Sequence, residues 1–135
     1  MKTKLKSVGL FVKDLSKMVS FYRDVVGFDL KWDGVDPSVI IELDDGLRFM
    51  LFGREDFEEI TNTQYTYPTG LNGSFQLALD VETEEEVDHV FAELVKGGAR
   101  SVCVPHTYPW GLRSSYVADP EGNLIEIATW KGATK

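Results

Sequence analysis

Residues 83–98 read TEEEVDHVFAELVKGG, a helix with both of its ends written into it. Thr83 and Glu86 have the spacing of a capping box, and the run Glu84, Glu85, Glu86 puts negative charge at the positive end of the helix dipole. Val87, Val90, Phe91, Leu94 and Val95 recur at helical spacing and predict the buried face, while Gly97 and Gly98 supply the stop. Working outward, residues 74–81 predict a strand before this helix. Residues 99–104, 113–118 and 124–129 predict three strands after it.

The same order stands upstream. A short apolar run at 8–12, broken by Gly9, leads into VKDLSKMVSFYRDVVGF at 12–28. Asp14 or Ser16 can cap this helix, Met18, Val19, Tyr22, Val25 and Val26 line one face, and Gly27 ends it. Strands are predicted at 28–32, 38–43 and 47–52, with Asp44-Asp45-Gly46 forming a hairpin turn between the last two. Val12 and Val81, each just before its helix, lie about 70 residues apart, so the chain contains an internal repeat. Between the copies, GREDFEEITNTQYTYPTGLNG at 53–73 has no clean period and reads as a linker with a short helical turn near Phe57. The division is therefore module one at about 1–56, linker at about 57–72 and module two at about 73–131, within one domain of 1–135. A strand-helix-strands unit has only one sheet face covered by its helix. Two such units are expected to pair around the other face and enclose a small-molecule cleft.

Composition agrees with one globular domain and narrows its partners. The 135 residues are 43% hydrophobic and 27% charged, with 14 basic against 22 acidic residues and a net charge of −8. That balance disfavours nucleic acid and anionic membranes. No stretch has the apolar length of a signal peptide or a membrane span, and Cys103 is the only cysteine, so a reducing cytoplasm is the expected location.

The stretches VKDLSKMVSFYRDVVGF (12–28) and WGLRSSYVADPEGNLIEI (110–127), with Asp119-Pro120-Glu121-Gly122-Asn123 as the most specific piece, resemble the vicinal oxygen chelate superfamily. This group includes glyoxalase I, bleomycin and fosfomycin resistance proteins and extradiol dioxygenases. The resemblance implies an α+β fold: two βαβββ modules form an open curved mixed sheet around a cleft, with helices outside. It also implies a homodimer.

Metal-dependent members hold a divalent ion with four side chains, one each from the first and fourth strands of the two modules, mostly His and Glu. Carried onto this chain, those positions fall on Ser7, Met50, Gln76 and Glu126. A serine hydroxyl and a thioether are poor ligands for such an ion, and an amide seldom anchors one. No metal is expected; if one is present, Glu126 and Gln76 are its ligands. By the same resemblance Tyr116 faces the pocket, Ser114 shares its face, and Met50 and Phe52 point in from the other module. His106 and Trp110, in the aromatic loop VPHTYPWG (104–111), are candidate ligand contacts. Trp32 is a rim candidate, while Arg48 and Arg113 are weaker candidates for positive charge. His89 reads as a solvated helix residue, and Cys103, in an apolar strand, as inert.

The leading expectation is a protein that binds a small organic molecule in an aromatic cleft without metal, as bleomycin resistance proteins do. One alternative is a divalent-metal-dependent lyase, isomerase or dioxygenase of the glyoxalase I type, with one metal ion as cofactor. A second is a metal-free acid–base enzyme using Glu126 as its catalytic group with Tyr116 or His106.

Overall fold

The computed structural model describes residues 1–133, so the last two positions of the 1–135 span lie outside the described residues. The chain separates into two compact units, Met1–Tyr67 and Pro68 onward. Each is a mixed α+β unit with a small open sheet.

In the first unit, β1 (Ser7–Val12) leads into α1 (Leu15–Ser20), followed by β2 (Ser38–Glu42), β3 (Arg48–Gly53) and α2 (Arg54–Thr61). Asp14 caps α1, its carboxylate accepting from the Lys17 N–H at 3.0 Å. The helix widens into a π-helical stretch at Phe21–Val26 before Gly27 ends it. The sheet order is β1-β3-β2, with β1 parallel and β2 antiparallel to β3. Alternation sorts the side chains. Leu10, Val12, Val39, Phe49 and Leu51 are buried with Met18, Val19 and Tyr22 of the helical segment, and Tyr22 sits 5.0 Å from Phe49, ring centre to ring centre. Each fully buried side chain of this kind contributes about 1.5–3 kcal/mol.

The strand predicted at 28–32 does not form. Leu30 is buried and Phe28 stacks toward Tyr22 and Phe49, so the apolar pattern is real. The backbone, however, turns on local acceptors. Leu30 N–H donates to the Phe28 carbonyl, the Asp33 carboxylate takes the N–H groups of Val35 and Asp36, and the Trp32 indole donates to the Asp36 carbonyl. The first module thus has three strands where its counterpart has four. The segment read as a linker contains the eight-residue α2, whose Phe57 ring stacks 3.9 Å from Phe11.

The second unit comprises β4 (Asn72–Asp80), α3 (Glu84–Lys96), β5 (Arg100–Thr107), β6 (Arg113–Ala118) and β7 (Asn123–Thr129). Its strand order is β4-β7-β6-β5, with β4 parallel to β7 and the other pairs antiparallel. Thr83 caps α3 by accepting from the Glu86 N–H, and its hydroxyl in turn donates to the Glu86 carboxylate. Val87 and Leu94 are buried, with Ile125, Ile127 and Val117 of the sheet. Val95, predicted for the same face, is exposed, since the buried stripe runs through Val87 and Leu94 and the next residue is rotated about 100° away from it.

The turn Asp119–Asn123 fixes β7. The Asp119 carboxylate, only 3% exposed, accepts from the N–H groups of Glu121 and Asn123 and from the Asn123 side-chain amide. Gly122 has φ +92°, and its carbonyl takes the Asn72 N–H at 2.8 Å, while a Cβ at this position would collide with the Gly70 carbonyl oxygen. Among the described residues no helix is long and apolar enough to cross a membrane.

Gly122→Ala is expected to destabilise the chain by about 2–4 kcal/mol, since left-handed strain and a backbone collision coincide there. Gly34→Ala, at φ +83° but with nothing within 4 Å of its added methyl, should cost about 1–2 kcal/mol from strain alone. Denaturant melts of both variants check the difference; equal losses would show that the approach to Gly70 carries no weight.

Candidate functional site

In the second unit α3 lies over the face of the sheet that carries Ser115, Val117, Ile125 and Ile127. The alternate residues, Ser114, Tyr116, Leu124, Glu126 and Ala128, form the opposite face. On this second face Glu126 is 8% exposed and is the centre of a hydrogen-bond cluster. Gln76 donates its amide to Oε1 at 3.2 Å, Ser114 donates its hydroxyl to Oε2 at 2.7 Å, and Tyr116 donates its hydroxyl to the same oxygen at 3.2 Å. The strand register explains the convergence. Glu126 stands between Ala78 of β4 and Tyr116 of β6, with Gln76 two residues before Ala78 and Ser114 two before Tyr116. Alternation on three neighbouring strands therefore delivers all three donors to one carboxylate.

An aromatic arc continues from this cluster along β5. Register shifts between Ser101 and Cys103 and between Cys103 and His106 put both Cys103 and His106 opposite residues of the Glu126 face, Tyr116 and Ser114. The bulge brings the Cys103 sulfur 3.9 Å from His106 Nδ1. Pro105 sits in the irregular stretch, where a missing N–H costs little. The His106 ring meets Tyr108 edge-on at 4.2 Å, and Tyr108 stacks on Trp110 at 4.6 Å with an interplanar angle of 11°. Trp110 is 48% exposed. Its loop rests on the turn at Lys131 and Gly132, where Gly111 approaches the Gly132 carbonyl so closely that no side chain would fit.

The Tyr116 hydroxyl is pushed above its ordinary value, first by burial and then by the neighbouring Glu126 charge and hydrogen bond, with smaller effects from Tyr108 and Cys103.

Six of the predicted site residues, Gln76, His106, Trp110, Ser114, Tyr116 and Glu126, thus belong to one unit and one connected surface. Met50 and Phe52 lie in the first unit, on the corresponding sheet face with Arg48. Phe52 is engaged in an aromatic cluster with Phe11 and Phe57 at 6.4 and 5.7 Å. Met50 pairs with Gly9, whose missing side chain makes room for it, since a Cβ there would meet the Met50 methyl at 2.9 Å. Arg113 turns to the helix side, where its guanidinium holds Asp88 at 2.8 and 3.0 Å. It is not a source of positive charge on the Glu126 face. Trp32 is tied to its own turn, and His89 is exposed on α3 as read. Tyr108, not singled out among the candidate residues of the loop 104–111, links His106 to Trp110; its two-residue spacing from His106 was the available signal. A depression of about 520 Å³ in the first unit, lined by Lys13, Arg54, Glu58 and Tyr67 among others, includes none of the predicted site residues.

Equivalent registers permit a test of metal fit within each unit. Met50 opposite Gly9, with Ser7 two residues earlier, matches Glu126 opposite Ala78, with Gln76 two residues earlier. The first pair offers a hydroxyl and a thioether. The second offers an amide and a carboxylate whose two oxygens already accept three protein hydrogen bonds. Among the described residues no three His, Cys, Asp or Glu side chains are grouped to hold an ion. This donor set does not fit a divalent metal.

Comparisons with known proteins agree with the architecture. The family model described as Glyoxalase/Bleomycin resistance protein/Dioxygenase superfamily matches residues 4–127. The uncharacterized protein YraH of Bacillus subtilis (strain 168) is 29% identical over 126 residues, covering 92% of this chain and 96% of its own. A glyoxalase-related enzyme from Fulvimarina pelagi superposes with a TM-score of 0.81 at 24% identity, covering 95% of this chain and 88% of its own. A glyoxalase/bleomycin resistance protein/dioxygenase family enzyme from Burkholderia phytofirmans PsJN gives 0.79 at 24% identity, covering 94% and 98%. At these identities the structures speak to the fold alone.

The raised Tyr116 has a measurable consequence. Below the ordinary phenol value near 10 the group is neutral in both folded and unfolded chains, and its contribution to stability is intact. That contribution is lost as pH rises through the higher folded value. Ultraviolet difference titration of the protein against Tyr116→Phe should show one phenol ionising later than an ordinary tyrosine, and the wild type should lose more thermal stability than the variant above about pH 10. A Tyr116 that titrates at the ordinary value would contradict the burial and the Glu126 contact together.

Proposed function

The chain belongs to the Glyoxalase/Bleomycin resistance protein/Dioxygenase superfamily, and from that premise we propose that it binds a small organic molecule, without a metal ion, on the Glu126 face of its second unit. The carrying observation is the Glu126 carboxylate held by Gln76, Ser114 and Tyr116. Three neutral donors keep a buried carboxylate in one position and orientation, as an anchor for a polar ligand group requires. Support for an aromatic ligand comes from the Tyr108–Trp110 stack, which presents a flat, partly exposed π surface beside that anchor.

Binding is preferred to metal-free acid–base catalysis for a reason of hydrogen-bond capacity. A carboxylate has about four acceptor positions; three here are filled by the protein and one is open, an arrangement that holds the group as a fixed anchor for a single ligand donor. The Tyr116–Glu126 contact is the one observation that favours the catalytic reading, and it would show as turnover of the bound compound.

A thermal-shift series with flat organic molecules tests the proposal, because a ligand that binds the folded state raises the melting temperature. Compounds that stabilise the protein should do so equally with and without a chelator. Trp110→Ala should weaken them about three- to tenfold, the range expected for loss of an aromatic contact. Stabilisation that appears only with an added divalent ion would overturn the proposal.

A further inference from the structure

Resting on the binding function proposed above, we infer that the ligand class is an organic cation: a protonated amine carried on a flat ring system, its ammonium donating to Glu126 and its rings lying along the aromatic arc. Three observations combine to select this class. The first is that Glu126 has no counter-charge. Its three partners are an amide and two hydroxyls, all neutral, and no lysine or arginine among the described residues forms an ion pair with it. A carboxylate that is 8% exposed and unmatched by a cation is costly to desolvate further, so a neutral or anionic ligand that covered it would be penalised. A ligand that brings its own positive charge removes the penalty.

The second observation is the distribution of bonds on the carboxylate. Oε2 accepts from both Ser114 and Tyr116, whereas Oε1 accepts from Gln76 alone. Oε1 therefore retains capacity for one more donor. A charged donor forms the stronger bond, roughly twice that of a neutral one.

The third is the company the carboxylate keeps. Along the same surface lie Tyr116, Tyr108 and Trp110, whose π faces attract cations, with His106 packed edge-on against Tyr108. The guanidinium on β6 that could have reversed the sign, Arg113, is committed to Asp88 and Thr107 on the other side of the sheet. The net charge of −8 favours approach of a cation from solution.

Three related compounds separate the possibilities: naphthylmethylammonium, naphthylmethanol and naphthoate, each titrated into the 135-residue chain by calorimetry. The ammonium compound should bind about tenfold or more tightly than the alcohol, as expected when a charge-assisted bond replaces a neutral one, and naphthoate should not bind. Glu126→Gln, with the same shape and no charge, should erase the difference between ammonium and alcohol, while Tyr116→Phe, which leaves the carboxylate, should keep it. The ratio in the unaltered protein stands on its own should the Gln variant fail to fold. Equal affinity for ammonium and alcohol, a preference for naphthoate, or an ammonium preference that survives in a folded Glu126→Gln variant would each overturn the cation inference while leaving the binding function in place. Failure of all three compounds to bind would overturn both.

Discussion

The parallel pairing of β4 with β7 is the constraint on which the candidate site depends. Parallel neighbours cannot be set by a tight turn, so their register must be fixed by contacts far apart in sequence. Here the turn Asp119–Asn123 does this. Its buried carboxylate folds the turn from within, Gly122 lets the backbone close on Gly70, and Asn72 is gripped both through its backbone by the Gly122 carbonyl and through its side chain by Asn123. A slip of one residue would send Glu126 to the helix side, into apolar packing, and strand Gln76 without its partner. The chemistry of the face is therefore a consequence of a turn that contributes no atom to it.

The internal repeat sharpens the contrast between the two halves. In the first unit the position matching Glu126 is Met50, opposite a glycine, and the neighbouring strand positions hold Phe11 and Phe52, which α2 covers through Phe57. One copy of the module has turned its bare face to aromatic and thioether packing. The other has kept a carboxylate and surrounded it with donors.

Much of this was legible in the residues. The α3 signals are honoured at both ends, β6 falls on its predicted bounds, and the resemblance assigns Ser114, Tyr116 and Glu126 to the pocket, where strand register brings them onto one face. What sequence did not carry was the fate of groups decided by competition. Residues 28–32 have strand-like apolar spacing, yet the Leu30 N–H turns back to the Phe28 carbonyl, and the Asp33 carboxylate and the Trp32 indole tie down the turn that follows. The helix Arg54–Thr61 has no side-chain cap and no fully buried residue, so its signals were weak, and its place is held by Phe57 on Phe11 and by the Arg54 guanidinium, which donates to the Phe11 carbonyl and lies 4.2 Å over the Tyr67 ring. The side of the sheet chosen by Arg113 depended on Asp88, a partner on a different element.

The bulge in β5 has a meaning for how such a face changes over evolutionary time. Cys103 and His106 are separated by an odd number of steps, so a regular strand would point them in opposite directions, and it is the extra residue that turns both toward the carboxylate. β5 is an edge strand with a single neighbour, where gaining or losing one residue disturbs only one ladder. Small length changes at this border, rather than substitutions in the interior strands, are thus a cheap route by which relatives of this chain can recruit or dismiss side chains beside an unchanged anchor. Diversity among them should be sought in gaps in an alignment as much as in mismatches.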